Sequence, residues 1–355
     1  MSDFKQTVPV PGLKARLKQQ LRAHPRLWGV YWRAKQQIRR LALMRYFWYD
    51  IRHTYRGMFW RHQHVEVPTL GAEMLFQYHK LEKGLVMPGK RRLFGLEPAH
   101  ASMQLIQRWR AAGHDLQDPV YVGAVETLRA YQSRLRDNEL DPKGIILPQV
   151  DVFLQNSGDG DAALATPQKL VKAMVSERSP AATFRSLTEA RRSVRSFLPE
   201  TVPYGVFEEA VRLAQLSPSA CNRQPCRIYL VSDEEQRRQL LALQNGNLGF
   251  GHMAPHVAII TADEECFFDA SERHEPYVDG GLFSMSFILA LRAQNVASCC
   301  LNWCVSPETD RRAHALFALP QSQRIVMLMA IGYAPEECAV PRSPRRGLEQ
   351  VLISL

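Results

Sequence analysis

Several things are missing from this chain of 355 residues. No apolar run reaches the roughly 18 residues that a membrane-crossing helix needs. The longest, GGLFSMSFILAL at 280–291, suits a buried helix. Residues 1–25 are polar and basic and lack the apolar stretch of a secretory signal. The seven cysteines follow no disulfide-framework spacing, which points to a reducing, cytoplasmic compartment. No Ser-His-Asp or Cys-His order suggests hydrolysis. The spacing of Cys299, Cys300 and Cys304 (CCLNWC) fits no common iron–sulfur motif, and neighbouring cysteines on a strand face opposite ways. They read as small buried hydrophobes. GNLGFG at 246–251 lacks the strand–turn–helix setting of a dinucleotide fingerprint. The acids of NSGDGD lack the terminal Glu of a calcium loop. His53, His62 and His64 read as solvated or interfacial side chains, not zinc ligands.

Negative charge is also scarce in one place. Residues 1–65 hold fourteen Lys/Arg against two Asp, a local +12; the whole chain is +10, so the other 290 residues sum to −2. The basic balance therefore describes an N-terminal arm and implies an anionic partner for the arm alone. Residues 13–60 read as helix, with Leu27, Tyr31, Ala34, Ile38 and Leu41 along one face. Trp28, Trp32, Phe47 and Trp48 are interleaved with arginines. A basic, aromatic, amphipathic helix suits the anionic inner face of a membrane, and packing on the rest of the protein or across a dimer suits it equally. Nucleic acid ranks last, since the aromatics lie among apolar helix positions and not on a nucleic-acid fold.

Further helices are predicted over 72–85, 99–112 and 119–136. A Pro/Gly/Asp-rich loop follows over 137–160, and helix resumes over 167–177. From 183 onward helices alternate with strands. Helix or helix end is expected at 187–195, then helices at 204–216, 233–244, 276–294 and 307–317, with Ser306 as a cap. Strands are expected at 227–232, 256–262, near 297–303 and at 324–333. The class is α+β, an α/β sandwich with a mostly enclosed sheet. The expected domains are an arm (1–65), a helical region with a linker (66–180) and a C-terminal domain (181–355).

Chemistry concentrates in that last domain. RRSVRSF at 191–197 and PRSPRRGLEQV at 341–351 are arginine-rich and bracket it. Arginine forks suit a phosphate, with its nearly two negative charges, better than lysines do. SPSACNRQP lies between them, at 217–225. His252 and His256 in GHMAPH could donate a proton but read more readily as loop histidines.

RRSVRSF, SPSACNRQP, DGGLFSMSFILALRAQNVASCCL, AIGYAPEE and RRGLEQVL, in this order over roughly 183–355, resemble the nitroreductase family of flavin oxidoreductases. The resemblance implies a nitroreductase-like fold with a helical N-terminal extension. It further implies a homodimer with non-covalent FMN at its interface and NADH or NADPH as reductant. On that resemblance Arg191, Arg192, Ser193 and Arg195 hold the FMN phosphate and ribityl chain. Pro218, Ser219, Asn222 and Gln224 lie against the flavin, with Asn222 hydrogen-bonded to the isoalloxazine. Arg345 and Arg346 return to the phosphate, and the backbone of Cys299, Cys300 and Leu301 faces the ring.

Two departures stand out. Cys226 replaces an aromatic residue after QP, and SCCLNW replaces a glycine-bearing segment. They leave open an alternative: a catalytically weak FMN-binding scaffold recruited to a membrane assembly through the arm. HKLEKGL (79–85) is similar to a subgroup associated with bacterial polysaccharide biosynthesis. The second substrate is expected to be a small molecule.

Overall fold

The computed structural model describes residues 22–58, 65–86, 93–155, 179–268, 270–340 and 347–355. The chain divides into two compact units, Met1–Tyr55 and Arg56–Leu355.

Helix α1 (Pro25–Gly57) supplies the described part of the first unit. At about 100° per residue, Leu27, Tyr31, Ile38 and Leu41 share one quadrant, whereas Met44, Trp48, Ile51 and Tyr55 fall about a quarter turn away. The apolar stripe therefore drifts around the helix and does not hold the single face read from residues 27–41. Of these eight side chains, all but Tyr31 are exposed. Trp28 stacks on Tyr31 at 5.2 Å, and the Lys35 ammonium lies 4.9 Å from the Trp32 ring.

The second unit begins with helices α2 (Val67–Val86), α3 (Leu96–Ala111), α4 (Pro119–Asp137) and α5 (Leu147–Gln155). They close over their own core, in which Leu70, Leu81, Ile106, Leu128, Tyr131 and Ile146 are fully buried. The α4 start follows from its sequence: the Asp118 carboxylate accepts from the Val120 N–H at 2.8 Å, with Pro119 at the first helical position. HKLEKGL lies on α2. His79 pairs with Glu82 at 2.9 Å, and Lys80 sits 4.0 Å over the Phe76 ring. A Cβ at Gly84 would collide with the Phe94 ring, so glycine lets that ring approach.

Helix α5 corrects the loop expected over 137–160. The Asp141 carboxylate accepts N–H groups from Ile145, Ile146 and Leu147, each at 2.8 Å, which holds it well ionised and starts the helix. Ile146 and Val150 then bury one side. Pro148, which suggested a breaker, sits in the first turn, where proline is tolerated. The helix expected over 167–177 lies outside the described residues.

The C-terminal part adds α6 (Pro180–Ala190) and α7 (Tyr204–Ala214). Strand β1 (Cys226–Val231), helix α8 (Glu234–Ala242), strand β2 (His256–Asp263) and helix α9 (Glu275–Ala293) follow. Strand β3 (Ala297–Asn302), helix α10 (Pro307–Leu316) and strand β4 (Gln323–Gly332) end the series. The sheet order is β1-β2-β4-β3, antiparallel throughout. Val257 and Ile259 pack on one face with Leu240 and Leu241 of α8. Ala258 and Ile260 pack on the other with Phe207 of α7 and Phe287 of α9. Every residue of β2 is buried, which suits the apolar stretch Val257–Ile260 at its centre, and the α+β sandwich read from the sequence holds. A Cβ at Gly280 would meet Val326 at 2.6 Å, so the DGG glycine brings α9 down onto β4.

Helix α9 departs from the fully buried helix expected here. Phe283, Phe287 and Leu291 face the core, but Tyr277, Val278, Leu282 and Met285 remain exposed in the single chain.

Candidate functional site

The arginine segment is extended, not helical. Helix α6 ends at Ala190, and Arg191 takes backbone angles of −71° and 121°. Backbone pairing accounts for this: Ser193 makes a parallel bridge with Ser298 of β3, and the Val194 N–H donates to the Ser298 carbonyl at 3.1 Å. Val194 and Phe197 face the core, which leaves Arg192 and Arg195 exposed and Arg191 half-buried. Arg192 donates to the Arg191 carbonyl at 2.8 Å, and the Arg195 guanidinium lies 5.8 Å from the Phe250 ring. Among the described residues, no carboxylate pairs with Arg191, Arg192 or Arg195. Three guanidinium groups without a carboxylate partner therefore stand on one short segment.

Strand β3 runs alongside. Cys299 and Leu301 are buried, while Cys300 and Asn302 are exposed. Of the three cysteines read as buried hydrophobes only Cys299 is one, because Cys300 points away from the core on the alternate face of the strand and Cys304 lies beyond its end, exposed. Burial raises the Cys299 thiol, against the charge of nearby Arg195. The structure thus brings Arg191–Arg195 together with 299–301. Arg345 and Arg346 lie outside the described residues.

The 217–225 loop stands elsewhere, where α7, β1 and α9 meet. Cys221, Asn222 and Gln224 have φ of 51°, 55° and 51°. This left-handed backbone costs a side-chain-bearing residue on the order of 1–2 kcal/mol, least for Asn. Tertiary contacts hold it. The buried Asp279 carboxylate accepts from the Ala220 N–H at 3.1 Å, Ser219 Oγ accepts from the Gln224 N–H at 3.0 Å, and Ser217 Oγ meets Ser286 Oγ at 2.7 Å. Burial pushes the Asp279 carboxyl up to about 6, although the Ala220 N–H favours its ionised form. Arg223 is buried and bonded to Glu272. Pro218, Asn222 and Gln224 are exposed and Ser219 half-buried.

Beside this loop is a cavity of about 710 Å³. Pro218, Ser219, Gln224, Cys226 and Asp279 line it on the C-terminal side, and Leu75, Trp109 and Val120 line it on the helical side. Cys226, in the position where an aromatic was expected, fronts the cavity, and burial pushes its thiol up to about 12. Arg191, Arg192, Arg195 and residues 299–301 are not among its walls. A single chain therefore divides the candidate residues between two places.

His256 is no loop histidine and has no free nitrogen. It opens β2, buried, with Nε2 accepting from the Val202 N–H at 2.9 Å and Nδ1 meeting Ser232 Oγ at 2.7 Å. The sequence reading missed Arg223, Glu272 and Asp279. An acid opening an apolar helix signals Asp279, but nothing local connects Arg223 to Glu272, 49 residues away. Among the described residues, no group of His, Cys, Asp and Glu could hold a metal ion, and no helix is long and apolar enough to cross a membrane.

A helix-covered antiparallel sheet with a cationic segment beside its edge strand, and a polar loop fronting a cavity, defines an α+β protein with two candidate binding regions. Residues 188–248 and 239–333 match the Nitroreductase family model, and over this segment the chain resembles that family. Members of the family generally use FMN with NAD(P)H and are typically homodimers with FMN at the interface. The chain is 21% identical to an iodotyrosine deiodinase of Nematostella vectensis over 201 residues, 50% of this chain and 76% of the relative. It is 37% identical to an NADH dehydrogenase of Thermus thermophilus over 93 residues, 25% of this chain and 44% of that protein. A crystal structure of a nitroreductase family protein from Streptococcus pneumoniae aligns with a TM-score of 0.42 and 19% identity, covering 48% of this chain and 100% of its own.

Proposed function

We propose that the protein is an FMN-dependent oxidoreductase that takes reducing equivalents from NADH or NADPH and delivers them to a small acceptor. One observation carries this reading. Within the segment that matches the family, Arg191, Arg192 and Arg195 are held in an extended strip beside β3 with no carboxylate to neutralise them. That donor set fits a phosphate monoester.

In this reading Arg191, Arg192 and Arg195 bind the phosphate and Ser193 meets the ribityl chain. The exposed backbone edge at Cys300 faces the ring. Pro218, Ser219, Asn222 and Gln224 form the polar loop against the ring, and Arg345 and Arg346 join the phosphate site. When bound, FMN supplies reversible two-electron chemistry, and the protein binds, orients and shields it. The 710 Å³ cavity beside the loop offers room for a small acceptor, with Trp109 and Phe207 as apolar walls and Asp279 as a buried carboxyl.

The reading includes a homodimer. Two features support it: a single chain divides the candidate residues between two places, and the apolar side chains of Tyr277, Val278, Leu282 and Met285 are uncovered. A second copy would cover that face and set its loop against the first copy's arginine strip. The surplus of basic residues in 1–65 and the exposed apolar side chains of α1 support peripheral docking on an anionic membrane surface. The link to polysaccharide biosynthesis rests on HKLEKGL alone.

The test is an absorbance spectrum of the purified full chain followed by NADH and NADPH consumption. Flavin absorbance near ~450 nm that bleaches with either nucleotide is the expected result. A colourless protein overturns the reading, and a yellow protein that neither nucleotide reduces points to the scaffold alternative.

A further inference from the structure

Arg223 stands in the loop sequence between Asn222 and Gln224, the two exposed residues proposed to meet the flavin. Its own side chain turns the other way and is completely buried. Nη1 donates to Glu272 Oε2 at 3.1 Å, Nη2 to Glu272 Oε1, and Nε to the carbonyl of Ala220 at 2.9 Å. All three guanidinium nitrogens are thus engaged, two of them in a fork on one carboxylate. The same Glu272 carboxylate accepts from the Phe268 N–H at 2.9 Å, so its position is fixed as well.

Three aromatic rings surround this guanidinium. Its carbon lies 4.7 Å from the Phe268 ring centre, 4.9 Å from Phe267 and 5.8 Å from Phe76, within the range of cation–π attraction. Phe76 belongs to α2, in the helical region outside the family-matching segment, and meets Phe268 edge to face at 5.1 Å. Lys80, in HKLEKGL, covers Phe76. A continuous set of contacts therefore runs from that motif through Phe76 to Arg223 and into the loop. The loop needs such an anchor, since three of its residues hold left-handed backbone.

We propose that Arg223 is a positioning residue. Clamped by Glu272 and set among Phe268, Phe267 and Phe76, it fixes the backbone that presents Asn222 and Gln224, and so makes the helical region of residues 67–155 a working part of the flavin site. The inference rests on the FMN reading above. It gives HKLEKGL a role that needs no chemistry of its own: the motif supports the loop from behind.

The test uses the full-length chain with FMN and NADH as probes. R223M, R223K, E272Q and F76L are compared for FMN affinity by fluorescence titration and for the rate of flavin reduction by NADH at saturating FMN. In R223M we expect an FMN Kd at least tenfold higher and flavin reduction at least tenfold slower, the slowing persisting when FMN is saturating. R223K keeps the charge but not the fork and should fall between R223M and the wild type. F76L, although remote in sequence, should slow reduction severalfold with its melting transition retained. If R223M fails to fold, E272Q and F76L carry the comparison. Variants that match a wild type that binds FMN overturn this inference alone. A wild type that binds no FMN overturns the reading of the site, and this inference with it.

Discussion

Ser193 and Ser298 pair as a single parallel bridge, and through it the arginine strip is laid along the edge of an otherwise antiparallel sheet. A helix continued past Ala190 would hold Arg191, Arg192 and Arg195 on one face but would forgo the pairing of Ser193 with Ser298. The extended segment instead lets Val194 and Phe197 enter the core and holds the arginine-bearing backbone beside β3.

Replacing the charges of that strip should weaken the anion without harming the fold. Charge-assisted hydrogen bonds contribute roughly 1.5–3 kcal/mol each. R191Q/R192Q should therefore raise the FMN Kd tenfold or more while leaving the thermal midpoint within the small shift typical of surface substitutions. Fluorescence titration beside a melting curve checks both; an unchanged Kd would remove the phosphate role from these arginines.

The uncovered side of α9 gives a second prediction. Met285 and Leu282 are exposed in the single chain, so charge there costs the monomer little. M285D and L282D should convert a dimer to a monomer in sedimentation experiments and release FMN in parallel. Dimers that persist with full flavin content would place the interface elsewhere.

His256 predicts a stability trend with pH. Burial, and the charge of Arg237 behind it, hold its imidazole below the ordinary value of about 6.5, and protonation would abolish Nε2 as acceptor for the Val202 N–H. The unfolded chain takes up the proton first as pH falls, so stability present above about 6.5 is lost progressively below it, until the folded-state value is passed. Urea midpoints at pH 7.5 and 5.5 should show this fall. H256A should reduce the dependence and cost roughly 1–3 kcal/mol at pH 7.5, because a buried N–H loses its partner.

Helix α9 can approach β4 only through Gly280. G280A places a methyl 2.6 Å from Val326 Cγ2 and should destabilise the fold by about 1–3 kcal/mol. V326A should recover part of the loss when combined with it, as denaturant unfolding would report. Additive losses would show that the contact is not the cause.

The sequence by itself determined the elements whose signals are local. The apolar stretch of β2, Val257–Ile260, reads as an enclosed strand, the Asp118–Pro119 start and Ser306 cap mark helix ends by backbone chemistry, and RRSVRSF and SPSACNRQP stand out as candidate site segments because charge and polar turn residues crowd within a few positions. Helix α5 was lost to its proline, since the decisive capping bonds come from Asp141, several residues upstream. Tertiary structure alone decided where those segments stand: that Arg191 begins an extended strip, that Glu272 closes on Arg223, and that Phe76 reaches the same guanidinium from another region. The reason is physical. A cap or an apolar run is settled by neighbours in the chain, whereas a buried charge is settled only when distant groups close around it and replace the water it has lost.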